Sequence, residues 1–172
     1  MALFPPAIAN TELWEGGYVN NPLDSGGETY RGISRNNWGA WEGWMRIDLA
    51  KCLANFPKSL DTNSILQGMV VSFYQTNFWV YGEIDAQVIA NKIFDLAVNV
   101  GKVHANKIAQ IAVDVDPDGF FGPQTIIAIN STSSGSLLPK IISAAEEYHK
   151  AIVESHPQDA IFLKGWLRRD SA

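Results

Sequence analysis

Trp14-Glu15-Gly16-Gly17-Tyr18-Val19-Asn20-Asn21-Pro22-Leu23-Asp24-Ser25-Gly26-Gly27-Glu28-Thr29-Tyr30-Arg31-Gly32-Ile33 sets one carboxylate, Glu15, directly before a glycine pair. The polar segment that follows is punctuated by Pro22, Gly26, Gly27 and Gly32. Just upstream, Pro5 and Pro6 suit a helix start, and Ile8, Thr11, Glu12 and Glu15 recur at helical spacing on one face. Gly16 is a natural stop for that helix, because glycine accepts the left-handed conformation of a C-terminal cap. A carboxylate in the last turn faces the negative end of the helix dipole. Trp14 beside it offers a wall of low dielectric. Both disfavour the charged form and move Glu15 toward the range of a general acid near neutral pH. A solvated glutamate ahead of a glycine turn fits the same residues.

Downstream, Asn20-Asn21-Pro22 and Asp24-Ser25-Gly26-Gly27 are turn formers, and Glu28-Thr29-Tyr30 is a short β-prone stretch. A small hairpin folded back toward the helix end is expected. It would hold Asp24, Glu28 or Thr29 opposite Glu15, with Asp24 the first choice for positioning water, Thr29 as a hydrogen-bonding partner and Tyr18 and Tyr30 lining a saccharide groove. Two carboxyl groups across a cleft, one protonated and one not, are what glycoside hydrolysis requires.

The run E-L-W-E-G-G-Y-V-N-N-P-L-D-S-G-G-E-T-Y-R-G-I-S resembles the signature of glycoside hydrolase family 108, the phage-type N-acetylmuramidases and secretion activator proteins. The resemblance implies that Glu15 is the catalytic acid. It further implies a mostly α, lysozyme-like fold and cleavage of the β-1,4 bond between N-acetylmuramic acid and N-acetylglucosamine in peptidoglycan. Asn21 stands where many relatives carry aspartate, a departure that leaves Glu15 untouched.

Composition bounds the other possibilities. The chain has 172 residues, 47% hydrophobic and 18% charged, with a net charge of −5. That is a globular composition, and the acidic balance argues against nucleic acid as a partner. The single cysteine, Cys52, cannot form an internal disulfide; its apolar surroundings Leu49-Ala50-Lys51-Cys52-Leu53 point to a buried, inert thiol. Met1 to Asn10 carries no lysine or arginine and only a short apolar run, so synthesis in the bacterial cytoplasm without a signal peptide is expected. No segment nears the ~20 apolar residues of a membrane span, so no stable membrane insertion is expected. A holin or an export system would then bring the protein to the cell wall. A monomer is expected, with no cofactor.

The remainder reads as helices. Ser34 is placed to cap one that carries Trp38, Trp41 and Trp44 on one side and runs to Leu49 and Leu53. The three tryptophans suit core packing, with sugar-stacking platforms as the other possibility. Asp61, Thr62 or Ser64 then caps a long helix whose nearly continuous apolar face, Ile65 to Phe78, marks it as the central buried one. Asp85 opens the next, on which Asp95 and Asn99 point together. In the family resemblance this D-x-x-x-N-x-G segment, ending at Gly101, recurs; it serves either a buried network or, through Asn99, substrate contact.

Another helix ends at Asp114-Val115-Asp116-Pro117-Asp118-Gly119. These aspartates fit the start of a calcium loop, but Thr125 stands where the bidentate glutamate belongs. The alternative D-G-x-x-G-x-x-T, on Asp118, Gly119, Gly122 and Thr125, resembles a turn of predicted peptidoglycan-binding segments. A polar linker, Asn130 to Ser136, leads to a last helix with His149 and His156 near its exposed end. His104 lies elsewhere, and no ligand spacing for a metal is present. Phe162, Trp166 and Leu167 are expected to close the core, and Arg168 or Arg169 to pair with an acid.

One lysozyme-like domain over residues 1–172 is expected, with a catalytic segment over 8–90 and a peptidoglycan-binding segment over 91–170 that completes the core. The rival readings are a non-catalytic wall-binding protein and a secretion or assembly factor that remodels the wall.

Overall fold

The computed structural model describes residues 1–12, 16–21 and 26–172, and of Glu12 the backbone only. Glu15 and Asp24 therefore lie outside the described residues. The elements in chain order are α1 (Phe4–Glu12), β1 (Tyr18–Asn20), β2 (Glu28–Tyr30), β3 (Ile33–Ser34), α2 (Gly43–Ala50), α3 (Ser64–Phe78), α4 (Gln87–Val100), α5 (Lys102–Ala112), α6 (Pro123–Asn130), α7 (Ser134–Ser155) and α8 (Ala160–Asp170). Short 3-10 turns lie at Lys58–Leu60 and Pro157–Asp159. Helices with one small antiparallel sheet near the N-terminus are the lysozyme-like architecture expected. The packing groups into two units, Glu12–Asn77 and Met1–Thr11 with Phe78–Ala172.

In the unit Glu12–Asn77 the sheet has the order β1-β2-β3, all antiparallel. Arg31 and Gly32 both have positive φ, 44° and 76°. A two-residue loop of that kind carries the twist that tight hairpins need. Tyr74 on α3 donates its hydroxyl to the Arg31 carbonyl at 2.6 Å, which fastens the turn. Tyr30 pairs with Tyr18 and with Ile33 across the sheet, and Tyr30 and Ile33 are fully buried.

The stretch after β3 differs from expectation. Ser34 caps no helix: its hydroxyl donates to the Gly26 carbonyl at 2.7 Å, and residues 35–42 form turns. α2 is short and ends at Ala50, so only Trp44, Ile47 and Ala50 of the apolar run are buried, together with Gly43. Leu49 and Leu53 are exposed, and Cys52 falls in the turn beyond the helix and is exposed rather than buried. α3 is capped by Asn63, whose Oδ1 accepts from the Leu66 N–H at 3.1 Å. It buries one side only, through Leu66, Val70, Phe73 and Tyr74.

The helix buried nearly all round is α4, in the other unit: Ile89, Ala90, Ile93, Phe94, Leu96 and Ala97 are all buried. It begins after Ala86 rather than at Asp85, and Gly101 (φ 85°) ends it. Phe4 of α1 sets its ring edge against Phe94 at 5.6 Å. Asp95 accepts two bonds from Arg169, at 2.9 and 3.1 Å, which tie α8 to α4. His149 departs from expectation most. It is buried, not exposed, because α8 folds back over α7, stacking Trp166 on the imidazole at 5.0 Å. There Nδ1 meets Asp170 at 2.7 Å. Phe162, by contrast, is exposed and closes no core. The linker shrinks to residues 131–133, since α7 begins at Ser134.

The aspartate loop is held by two amides. Gln110 of α5, 1% exposed, donates to Asp118 Oδ1 (2.7 Å), the Phe120 carbonyl (3.0 Å) and Thr125 Oγ1 (3.1 Å), and accepts from the Gly119 N–H at 2.9 Å. Asn106 donates to the Gly119 carbonyl at 2.9 Å and accepts from the buried Tyr81 hydroxyl at 3.0 Å. Gly119 has φ +82°, and a Cβ there would sit 2.9 Å from Val103 Cγ1. The loop is thus a structural turn in which Asp118 Oδ1 and the Gly119 and Phe120 carbonyls are turned to the protein. Removing a buried partner costs about 1–3 kcal/mol for each group left unsatisfied. Gln110→Ala should lower unfolding free energy in urea by at least about 2 kcal/mol. An unchanged midpoint and slope would show that the loop is held by other means.

Candidate functional site

The residues that sequence reasoning singled out fall in both units. Tyr18 and Thr29 lie on adjacent strands of the sheet. In an antiparallel pair, residues directly opposite share a face, so Tyr18, Tyr30 and Ile33 lie on one face and Val19, Thr29 and Ser34 on the other. Tyr30 therefore cannot line a groove, as was expected of it. Its fully buried ring belongs to the core face, and its hydroxyl accepts from Gln67 Nε2 at 2.8 Å and faces the Leu60 carbonyl at 3.4 Å. Thr29 is half-buried on the opposite face, and its hydroxyl donates to the Gly27 carbonyl at 3.2 Å. Tyr18 is half-buried at the sheet edge, with its ring against Phe56 at 4.7 Å.

Tyr18 donates its hydroxyl to Glu28 Oε1 at 2.9 Å. Glu28 also pairs with Arg35 at 2.8 Å and Lys51 at 2.7 Å, and both cations reach on to Asp48. Burial pushes Glu28 up, but hydrogen bonds from Lys51, Arg35 and Tyr18 outweigh it and hold the carboxyl below its ordinary value. The Arg35 guanidinium and then Lys51 hold Asp48 well below the usual carboxylate range. For Tyr18, burial and then the bond to Glu28 raise the phenol. Glu28 is thus a fixed anion, poorly suited to donate a proton. Nothing local marks Arg35 as a partner of Glu28 and Asp48, but the three-residue spacing of Asp48 and Lys51 at a helix end is a signal present in the sequence.

Asn99 lies in the other unit, one turn beyond Asp95 on α4. Asp95 is absorbed by its pair with Arg169, as the buried-network reading expects. The Nδ2 of Asn99 is buried with no hydrogen-bond partner among the described residues. Among the described residues, no group of histidine, cysteine, aspartate and glutamate could hold a metal ion, and no helix is long and apolar enough to cross a membrane.

Beyond the sheet, the unit Glu12–Asn77 carries an open groove of about 790 Å³ beside α3, lined by Trp41, Met69, Ser72, Phe73, Thr76 and Asn77 among others. A smaller hollow of about 310 Å³ continues it past Asn37 and Trp38. Of the three tryptophans, only Trp44 is core.

The Glu28 cluster predicts a pH dependence. A carboxyl whose folded pKa lies below its ordinary 4.5 contributes stability that is fully present above that value and is lost as pH falls through the folded pKa. Glu28→Gln should cost about 1–3 kcal/mol at pH 7. The gap to wild type should narrow as the pH is taken below 4.5. Thermal melts across that range read both, and a gap independent of pH would refute the assignment.

Residues 8–101 match the family model described as Glycosyl hydrolase 108. Residues 101–171 match the one described as Predicted Peptidoglycan domain. The two meet at the glycine that ends α4. Among solved structures, the chain is similar to one titled "Structure of Brucella abortus SagA", with a TM-score of 0.71 and 26% identity, covering 98% of this chain and 89% of that one. No curated protein matches. With the first match spanning more than half of its residues, the chain belongs to the glycosyl hydrolase 108 family.

Proposed function

We propose that the protein is a peptidoglycan hydrolase that cleaves the β-1,4 bond between N-acetylmuramic acid and N-acetylglucosamine, with Glu15 as general acid. The observation that carries this reading is the Glu15-Gly16-Gly17-Tyr18 sequence inside the glycosyl hydrolase match, with a peptidoglycan-domain match adjoining it. The glutamate protonates the leaving oxygen while a second group brings up water, and Asp24 is proposed for that task. Thr29, on the sheet face away from the core, is proposed as a hydrogen-bonding partner there. Asn99, with its unsatisfied amide, is proposed as a contact to the wall polymer. A non-catalytic wall-binding role is the second reading, favoured by the peptidoglycan-domain match alone; zymography on purified peptidoglycan separates the two.

Glu15→Gln keeps the shape and removes the proton donor. Turbidity loss of a peptidoglycan suspension should slow by at least ~100-fold, the size of a general-acid contribution. Near-wild-type clearing by the folded variant would end the assignment. If Asp24 positions water, the first-formed product has inverted configuration. NMR of the nascent anomer reads this, and a retained configuration would remove Asp24 from that role.

We further propose that a separate component, a holin or an export system, brings the enzyme to the wall. Expression of the chain alone should then leave cells intact, and permeabilising the inner membrane should lyse them. Glu15→Gln under the same treatment should lyse none. Lysis without permeabilisation would dismiss the need for a partner.

A further inference from the structure

Trp41 is held in a manner that core packing alone does not require. Its ring meets Trp44 edge-on at 5.4 Å and Phe73 at 6.0 Å. It also lies over Gly43 so closely that a Cβ there would fall 2.3 Å from two of its ring carbons. Glycine at that position is what admits the indole. Trp44 and Phe73 are themselves buried, and Trp44 fixes its own ring by donating Nε1–H to the Trp38 carbonyl at 2.9 Å. The indole of Trp41 is thereby braced from behind yet stays half-exposed, lining the groove.

The α3 wall of the groove sets small residues beside Ile65, Met69 and Phe73. Gly68, Ser72 and Thr76 are spaced four apart, which aligns them along one side of α3, and all three line the groove. A Cβ at Gly68 would meet nothing within 4 Å. Polar groups converge on this space from the same helix. Asn77 spends its Nδ2 on the Phe73 carbonyl at 2.8 Å, which leaves Oδ1 as an acceptor; Thr76 directly precedes it, and Ser72 lies one turn before Thr76.

The volume falls within the ~300–1,000 Å³ usual for ligand sites, and a braced aromatic with a few polar groups is their usual chemistry. Among the described residues that line the groove, Glu42 is the one ionisable side chain. A phosphate or other polyanion would require basic residues, and a ligand carboxylate would meet Glu42. The occupant that fits is an uncharged ring with an apolar face to lay on the indole, hydroxyls for Ser72 and Thr76, and an amide N–H for Asn77 Oδ1.

We infer that the groove between Trp41 and the Gly68-Ser72-Thr76 side of α3 is a glycan subsite that takes a neutral N-acetylated hexosamine unit, with Trp41 as its stacking platform. The inference rests on the reading of the chain as a peptidoglycan hydrolase and names where that enzyme grips its polymer.

The probe is the linear N-acetylglucosamine trimer, titrated into the full chain while the indole N–H resonances are followed by NMR. The trimer should shift the Trp41 resonance. Trp41→Ala and Gly68→Leu should each weaken binding about tenfold, the upper range for a lost aromatic contact. Both should raise KM on peptidoglycan more than they lower kcat, as loss of uniform binding does. Gly68→Leu keeps the test independent of folding. Leucine is the better helix former, so its Tm should equal or exceed that of the wild type while its side chain fills the groove. An unmoved Trp41 resonance, or variants that bind and clear the wall as wild type does, would overturn the subsite while lytic activity kept the hydrolase reading. A protein that binds the trimer through Trp41 but clears no wall would uphold the subsite and end the hydrolase reading.

Discussion

One carboxylate closes the small sheet. Glu28 begins β2, accepts from Tyr18 on β1, and pairs with Arg35 just past β3 and Lys51 just past α2. Strands of two and three residues do not hold together on ladder hydrogen bonds alone. The apolar supply is also thin: on the core face Tyr30 and Ile33 are fully buried, while Tyr18 at the edge is only half so. The charge cluster supplies the missing constraint. Because Arg35 and Lys51 both continue to Asp48, the carboxylates cannot drift apart without stranding a cation. Such an arrangement gives up little to solvent screening at Glu28, whose side chain is 12% exposed, and more at Asp48, which is 44% exposed.

The unit built on Met1–Thr11 and Phe78–Ala172 solves its polar problem differently. Its apolar core around α4 is large enough to bury amides and ions outright, and it provides several of them with partners. Gln110 and Asn106 fill the space under the aspartate loop, Asp95 takes the Arg169 fork, and His149 meets Asp170 beneath Trp166. A buried pair of this kind is dear to break and nearly neutral against a well-packed apolar substitute. Its effect is on geometry: α8 can dock in one register only, since both Arg169 and its neighbour Asp170 have fixed partners on other helices.

The helices and the hairpin were legible because they rest on local rules. Pro5 and Pro6 start α1, Gly101 ends α4, and Pro123 opens α6, each through its own backbone chemistry. The errors share a cause, which is that periodicity reports an apolar face but not what covers it. Leu49, Cys52 and Leu53 look like a buried run and are exposed, because α2 stops at Ala50. His149 looks like a helix-end residue and is buried, because α8 turns back over it. Tyr30 looks like a groove residue from its neighbours in sequence, but the strand register sends it to the core. Gln110 carries the aspartate loop from the preceding helix, and nothing local in its surroundings marks a glutamine that will bond four groups.

The state of Glu28 also bears on the chemistry proposed for this chain. A pair of carboxyls divides the labour of glycoside hydrolysis only if their environments push their pKa values apart. Glu28 was a candidate for the group opposite Glu15, and it is indeed held ionised. The same contacts that ionise it also use it up. With Arg35 and Lys51 neutralising its charge and the Tyr18 hydroxyl on Oε1, it is a weak base and has little freedom to approach a water. A lowered pKa, which in a free carboxylate would favour the partner's role, here marks a structural brace. The proposed role of Asp24 thus meets no competition from Glu28. The β2 carboxylate spends its charge on holding the strands, and the proposed chemistry rests on Glu15 and Asp24 instead.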